Sequence, residues 1–341
     1  MTYLHYINKR IFFVLLVIFA FGTLKADPIK ETIAISPGII FQILASELSV
    51  ISGNIPPAAA TYAEIAEKTQ DIQAAKRATE LAITIGDHIT ALKTAEIWRN
   101  NSNNESSAVE AVDALQLVLE RTDDLIRSMK VRRKDAEENN TLDIFYNKLS
   151  SLVKKARKPE TGLLIFEQVS EDDQNLPEVL YTTALLQFNH GNISKMELLL
   201  RKLIDIKPDH ANGLNALGYS LADRGENLSE AKRLIKAALI FSPNDPHIID
   251  SMGWLYYRMG DLVKAEEYLA VAFANQPDPE ISAHYGEVLW MLSSKEEALT
   301  IWKIGFKQNA NNKTLLETLT RFKVSVDELV TENQNERFNS L

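Results

Sequence analysis

Side chains able to do chemistry are few and scattered. The chain has six histidines (His5, His88, His190, His210, His247 and His284) and no cysteine. No His-Glu-x-x-His pair or Cys/His cluster occurs, so no helix offers two metal ligands one turn apart. His247 and His284 could approach only if they lie on equivalent faces of neighbouring helices. A Gly-x-Ser-x-Gly elbow, a P-loop and a dinucleotide glycine fingerprint are all missing. Carboxylates such as Glu64, Glu67 and Glu80 read as solvated helix faces. The one basic cluster, Arg127 to Lys134 ("RSMKVRRK"), is followed at once by Asp135, Glu137 and Glu138, and reads as a charged helix end running into an extended polar turn, "RKDAEENN". The expectation is no catalytic residue, no metal and no cofactor.

Function must then come from the elements and the surface they build. Apolar residues make up 45% and charged residues 24%, with 13 glycines and 11 prolines in 341 residues, and apolar positions recur at three- and four-residue spacing. The chain reads as all-α, and its length calls for two domains or one elongated repeat array. Its first 26 residues differ. Lys9 and Arg10 precede the apolar run Ile11 to Leu24, which is short of the roughly 20 residues that cross a bilayer and ends at "LKA". This reads as a secretory signal peptide cleaved after Ala26, with an uncleaved inner-membrane anchor as the alternative. Without cysteine, neither lipidation at a lipobox nor a disulfide is available. Cleavage would remove three positive charges and change the net charge from −9 to −12, which argues against nucleic acid as a partner. Membrane contact is expected only transiently, through the signal segment.

A repeat of about 34 residues organises the remainder. From Gly253, Ala265 lies 12 residues on, Ala272 lies 19 on and Pro277 lies 24 on. Gly286, Ala298 and Gly305 keep the offsets of 12 and 19, and Ala184, Met196, Leu203 and Pro208 keep 12, 19 and 24. Gly218, Ala231, Ala238 and Pro243 show the pattern with one residue inserted. The turn glycines Gly191, Gly225 and Gly260 are 34 and 35 apart, and Gly53 and Gly86 are 33 apart. Small residues cost helix propensity, so their recurrence marks close helix crossings. The boundaries expected are a signal peptide over 1–26, N-terminal repeats over 27–104, degenerate helical repeats over 105–176, C-terminal repeats over 177–312, and a C-terminal helix with a frayed tail over 313–341.

This register resembles the tetratricopeptide repeat. The stretches "NALGYSLADRGENLSEAKRLIKAAL", "DPHIIDSMGWLYYRMGDLVKAEEYL" and "PEISAHYGEVLWMLSSKEEAL" resemble exported proteobacterial members of that family. The resemblance implies an α-solenoid of helix-turn-helix repeats whose first helices line a concave groove. Carried over by position, the groove residues are Tyr181, Phe188, Asn215, Tyr219, Trp254, Tyr257, Arg258, His284, Glu287 and Trp290. Tyrosine and tryptophan often carry interface energy, although Trp254 and Trp290 could instead pack on a neighbouring helix.

The function expected is a non-catalytic adaptor of the periplasm or cell envelope that binds a protein or peptide, with no small-molecule substrate. The alternative is a structural subunit that associates with itself.

Overall fold

A computed structural model describes residues 36–326 and Leu329. The signal segment and the last residues of the tail lie outside the described residues. Among the described residues there are 17 α-helices and no strand, and no helix is long and apolar enough to cross a membrane. The chain divides into two compact units, 1–115 and 116–341.

The N-terminal unit holds α1 (Pro37–Ile51), α2 (Ile55–Thr69), α3 (Ile72–Thr84), α4 (His88–Asn101) and most of α5 (Ser106–Val118). Its core is rich in alanine: Ala58, Ala66, Ala75, Ala78, Ala82, Ala91, Ala95 and Ala108 are all buried. Such small side chains let α2, α3 and α4 approach closely. Asp71 and Asp87 cap α3 and α4 by accepting from the backbone N–H of Ala74 and Thr90 at 2.8 and 3.1 Å. Glu47 of α1 ties three helices together, accepting from the Arg77 guanidinium at 2.8 and 3.0 Å and from the Tyr62 hydroxyl at 2.9 Å. The opposite face of α1 leaves Ile40, Phe41, Leu44, Leu48 and Ile51 exposed at helical spacing.

The C-terminal unit begins with α6 (Thr122–Glu138), α7 (Leu142–Val153) and α8 (Pro159–Val169), packed around Leu125, Tyr146, Leu149, Ile165 and Phe166. Here the structure corrects the sequence reading. "RKDAEENN" opens inside α6, which continues to Glu138, and the basic cluster sits within the helix rather than at its end. Buried Arg133 grips Asp173 through two hydrogen bonds of 2.6 and 2.7 Å, and Tyr146 donates its hydroxyl to the same carboxylate. The Arg133 guanidinium holds the Asp173 carboxyl below the usual range.

Four helix pairs follow: α9 (Pro177–Asn189) with α10 (Ile193–Ile206), α11 (Ala211–Arg224) with α12 (Leu228–Phe241), α13 (Pro246–Arg258) with α14 (Leu262–Asn275), and α15 (Pro279–Met291) with α16 (Lys295–Gln308). The short α17 (Lys313–Phe322) comes after them. Proline at the first turn starts α9, α13 and α15, where its missing N–H has no partner to lose. Pro208, Pro243 and Pro277 each stand two residues beyond the end of a second helix. The turn glycines Gly191, Gly225 and Gly260 have φ of 85°, 68° and 83°, a left-handed conformation that glycine adopts without strain.

The small residues lie at crossings. A Cβ built on Gly253 would come within 2.6 Å of Leu269 Cγ, and one on Gly218 within 2.7 Å of Ile235 Cγ1. On Gly286 it would run into the Trp302 indole, and on Gly305 it would meet Ser282 Cβ at 2.6 Å. Ala184, Ala231, Ala238, Ala265, Ala272 and Ala298 are fully buried. Each pair is thereby clamped, and the first helices α11, α13, α15 and α17 pack successively on one another. They form one wall of the C-terminal unit. Val324 and Leu329 bury their side chains against the same core.

Candidate protein-binding site

The wall made by α11, α13 and α15 carries most of the positions carried over from the repeat register, but not all of them at its surface. Trp254 is only 5% exposed. Its ring stacks on the His284 imidazole with centroids 4.2 Å apart, it meets the Tyr257 ring at 4.9 Å, and its indole N–H donates to Asp223 at 3.1 Å. His284, 2% exposed, places Nδ1 at 3.0 and 2.9 Å from the two oxygens of Asp250. Its Nε2 lies 3.4 Å from the Tyr219 hydroxyl, which in turn lies 3.5 Å from Glu280 Oε1. Glu287 is buried as well, accepting from the Tyr257 hydroxyl at 2.8 Å and from Arg321 of α17. Trp254, His284 and Glu287 are therefore held beneath the wall, because a polar group removed from water needs a partner and each has found one on the adjacent first helix.

The others are partly open. Tyr257 is half-buried, and Arg258 is exposed with its guanidinium on the Asp223 carbonyl. Asn215 is half-buried, and its Oδ1 is shielded from water without a hydrogen-bond partner. Tyr181 packs its ring 5.2 Å from His210, while Phe188 is 45% exposed. Trp290 belongs to a separate aromatic cluster, 5.5 Å from Trp302 and 5.8 Å from Phe322, with the Lys295 ammonium 5.0 Å above its ring. His247 lies 3.4 Å from Gln276, and its charge is felt by Glu280. Among the described residues no group of three or more side chains is arranged to hold a metal.

The electrostatics suit holding helices together better than bond chemistry. Burial pushes the Tyr219 hydroxyl well up, with Glu280, Asp223 and Asp250 adding to it, so the phenolate that would act as a nucleophile is disfavoured. Burial and Glu287 push Tyr257 up to about 12. Burial raises the Glu280 carboxyl too. Burial alone would lower His284, but the Asp250 charge and hydrogen bond, with Glu280 and Glu287, outweigh it and hold the imidazole above the ordinary histidine value.

Sequence reasoning placed His284 but missed its partnership with Asp250. The signal was there: the two are 34 residues apart, one repeat, on equivalent helices. Arg321 on Glu287 has the same spacing. The Arg133–Asp173 pair, 40 apart, has no such register behind it.

No family model matches the chain. A TPR repeat-containing protein of Pseudomonas aeruginosa is 34% identical over 183 residues, which are 51% of this chain and 31% of that protein. The chain is a tetratricopeptide repeat (TPR) protein. It spans about a third of the length of that TPR relative. Among solved structures, a TPR protein of Thermus thermophilus is 22% identical, covering 54% of this chain and 97% of its own, at a TM-score of 0.46. One from Parabacteroides merdae is 16% identical, covering 82% of this chain and 97% of its own, also at 0.46. Stacked repeats of this kind build extended surfaces suited to protein–protein contact.

Proposed function

We propose that this TPR protein is a non-catalytic adaptor that binds a protein or peptide segment along the first helices of its C-terminal unit. One observation carries the reading. Side chains rich in interface energy, Tyr181, Phe188, Tyr257 and Arg258, stand partly or fully open on first helices, where a solvated face would ordinarily carry lysine and glutamate. They rest on a rigid base, since Tyr257 is fixed to Glu287 and Arg258 to Asp223.

The test is capture of a partner from envelope extract, followed by titration with the wild type, Tyr257→Ala and Phe188→Ala. A hot spot costs about 2 kcal/mol or more, so affinity per folded molecule should fall roughly thirty-fold or more for at least one variant, with the wild-type melt kept by Phe188→Ala. Unchanged affinity in both would remove the wall from consideration. A second reading, self-association, is favoured by the uncovered apolar face of α1. Light scattering separates the two, because a discrete oligomer that excludes the captured partner supports the second.

The proposal includes export and a role in cell-envelope assembly, supported by the basic and apolar character of residues 1–26. The protein recovered from cells should begin at Asp27 and appear in the soluble periplasmic fraction. Full-length protein found only in washed membranes would replace export with anchoring.

A further inference from the structure

In a solenoid each repeat touches only its neighbours, yet Tyr219 of α11 reaches Glu280 and His284 of α15, two helix pairs away. Four polar groups on three helices form a chain, buried at Asp250 and His284 and half-buried at Tyr219 and Glu280. Counting protons along it shows a shortage. To bond to Asp250, His284 must carry a proton on Nδ1. Nε2 and the Glu280 carboxylate then both face one phenolic oxygen, at 3.4 and 3.5 Å, and that oxygen has a single proton to give. With neutral histidine and ionised Glu280, one of the two acceptors goes without a donor from the protein, and the His284 nitrogen is the one that burial closes to water. One added proton on Nε2 resolves this. Nε2–H then donates to the Tyr219 oxygen, the Tyr219 hydroxyl donates to Glu280, and every member is satisfied.

We propose that this chain takes up one proton as the C-terminal unit assembles, and that the proton locks α11 to α15 across α13, so that the wall loosens as pH rises.

The surroundings agree. The imidazole is sealed by Trp254, whose ring face lies 4.2 Å away at 21°, an arrangement that favours a cation. The groups facing it are Tyr219 and, behind Trp254, Asp223 from α11; Asp250 from α13; and Glu280 and Glu287 along α15, while His247 of α13 and Asp278 act on Glu280. Arg321 from α17 is taken up by Glu287, and Trp302 of α16 and Gln276 beyond α14 are neutral. The carboxylates outnumber the free cations on this side. His284 and Glu280 are both shifted up. A group raised in the folded state stabilises fully below its unfolded value and loses that contribution as pH climbs through its folded value. For His284 the window therefore opens near pH 6.5 and extends upward.

The experiment is urea unfolding of the full chain at a series of pH values from 6 to 9, followed by tryptophan emission, since three of the four tryptophans lie in the C-terminal unit. The absence of cysteine removes thiol titration from that range. In the wild type the folded-to-unfolded ratio should fall by up to tenfold per pH unit within the window, the slope of one proton. Glu280→Gln supplies an amide that can donate to the Tyr219 oxygen while the Tyr219 hydroxyl turns to a neutral Nε2. This variant should fold with a shallower slope, since Asp250 still faces the imidazole. His284→Gln, which keeps a donor for Asp250 and an acceptor for Tyr219 without a titrating ring, should lose the slope altogether. A flat wild-type profile, or a full slope retained in either variant, would overturn the proposal.

Discussion

Leucine at Gly286 should lower the melting temperature of the C-terminal unit by roughly 6–12 °C, the shift of about 3 kcal/mol in a domain of this size. The site has no room: even a Cβ would enter the Trp302 indole, which is fully buried and fixed by its N–H bond to the Ala283 carbonyl at 3.2 Å. Flexible neighbours can yield, but this ring packs in a triangle with Trp290 and Phe322, 5.5 and 5.8 Å away. Gly253→Leu tests the equivalent crossing one repeat earlier. There the obstacle is Leu269 at 2.6 Å and the Ala265 carbonyl at 3.2 Å, and about 1–3 kcal/mol should be lost. Gly260→Asn is the contrast. Nothing lies within 4 Å of a Cβ there, and asparagine tolerates its positive φ of 83°, so the cost should stay below about 1 kcal/mol. Thermal melts of the three variants separate crossing glycines from turn glycines. A Gly286→Leu protein melting with the wild type would mean that α15 and α16 do not cross where the register puts them.

Trp254→Ala should cost about 3–5 kcal/mol, the range for removing a buried large aromatic. The loss has identifiable parts. The His284 imidazole loses its stacked cover, Asp223 loses the indole N–H, and a cavity opens between α11, α13 and α15. The wall at that point is packing first, and a ligand there would rest on a surface whose base Trp254 supplies. Chemical denaturation and binding titration on the same preparation distinguish the roles. Lost stability with unchanged affinity per folded molecule assigns Trp254 to the structure alone, and leaves the partly open Tyr257 and Phe188 as the residues that meet a partner. A stable variant with weakened binding would return Trp254 to the surface.

Much of this was legible in the sequence. Gly218, Gly253 and Gly286, with the alanines and prolines at fixed offsets behind them, specified the four C-terminal pairs, because a helix crossing tolerates only small side chains and a proline cannot continue a helix. That is a local demand, written at each position and repeated every 34 residues or so. The continuation of α6 through its charged stretch was not legible, since it depends on Asp173, 40 residues away, accepting Arg133 and making burial of that guanidinium tolerable. Nor could the sequence say which inward positions are open. Register fixes the direction in which Trp254, Tyr257 and His284 point, but exposure depends on how closely α11, α13 and α15 approach one another, and that distance is a sum of packing over three pairs. Only the tertiary structure could put Tyr219 beside His284 and Glu280, 65 and 61 residues along the chain. Small rotations from one pair to the next accumulate, and a contact between the first and third depends on their total.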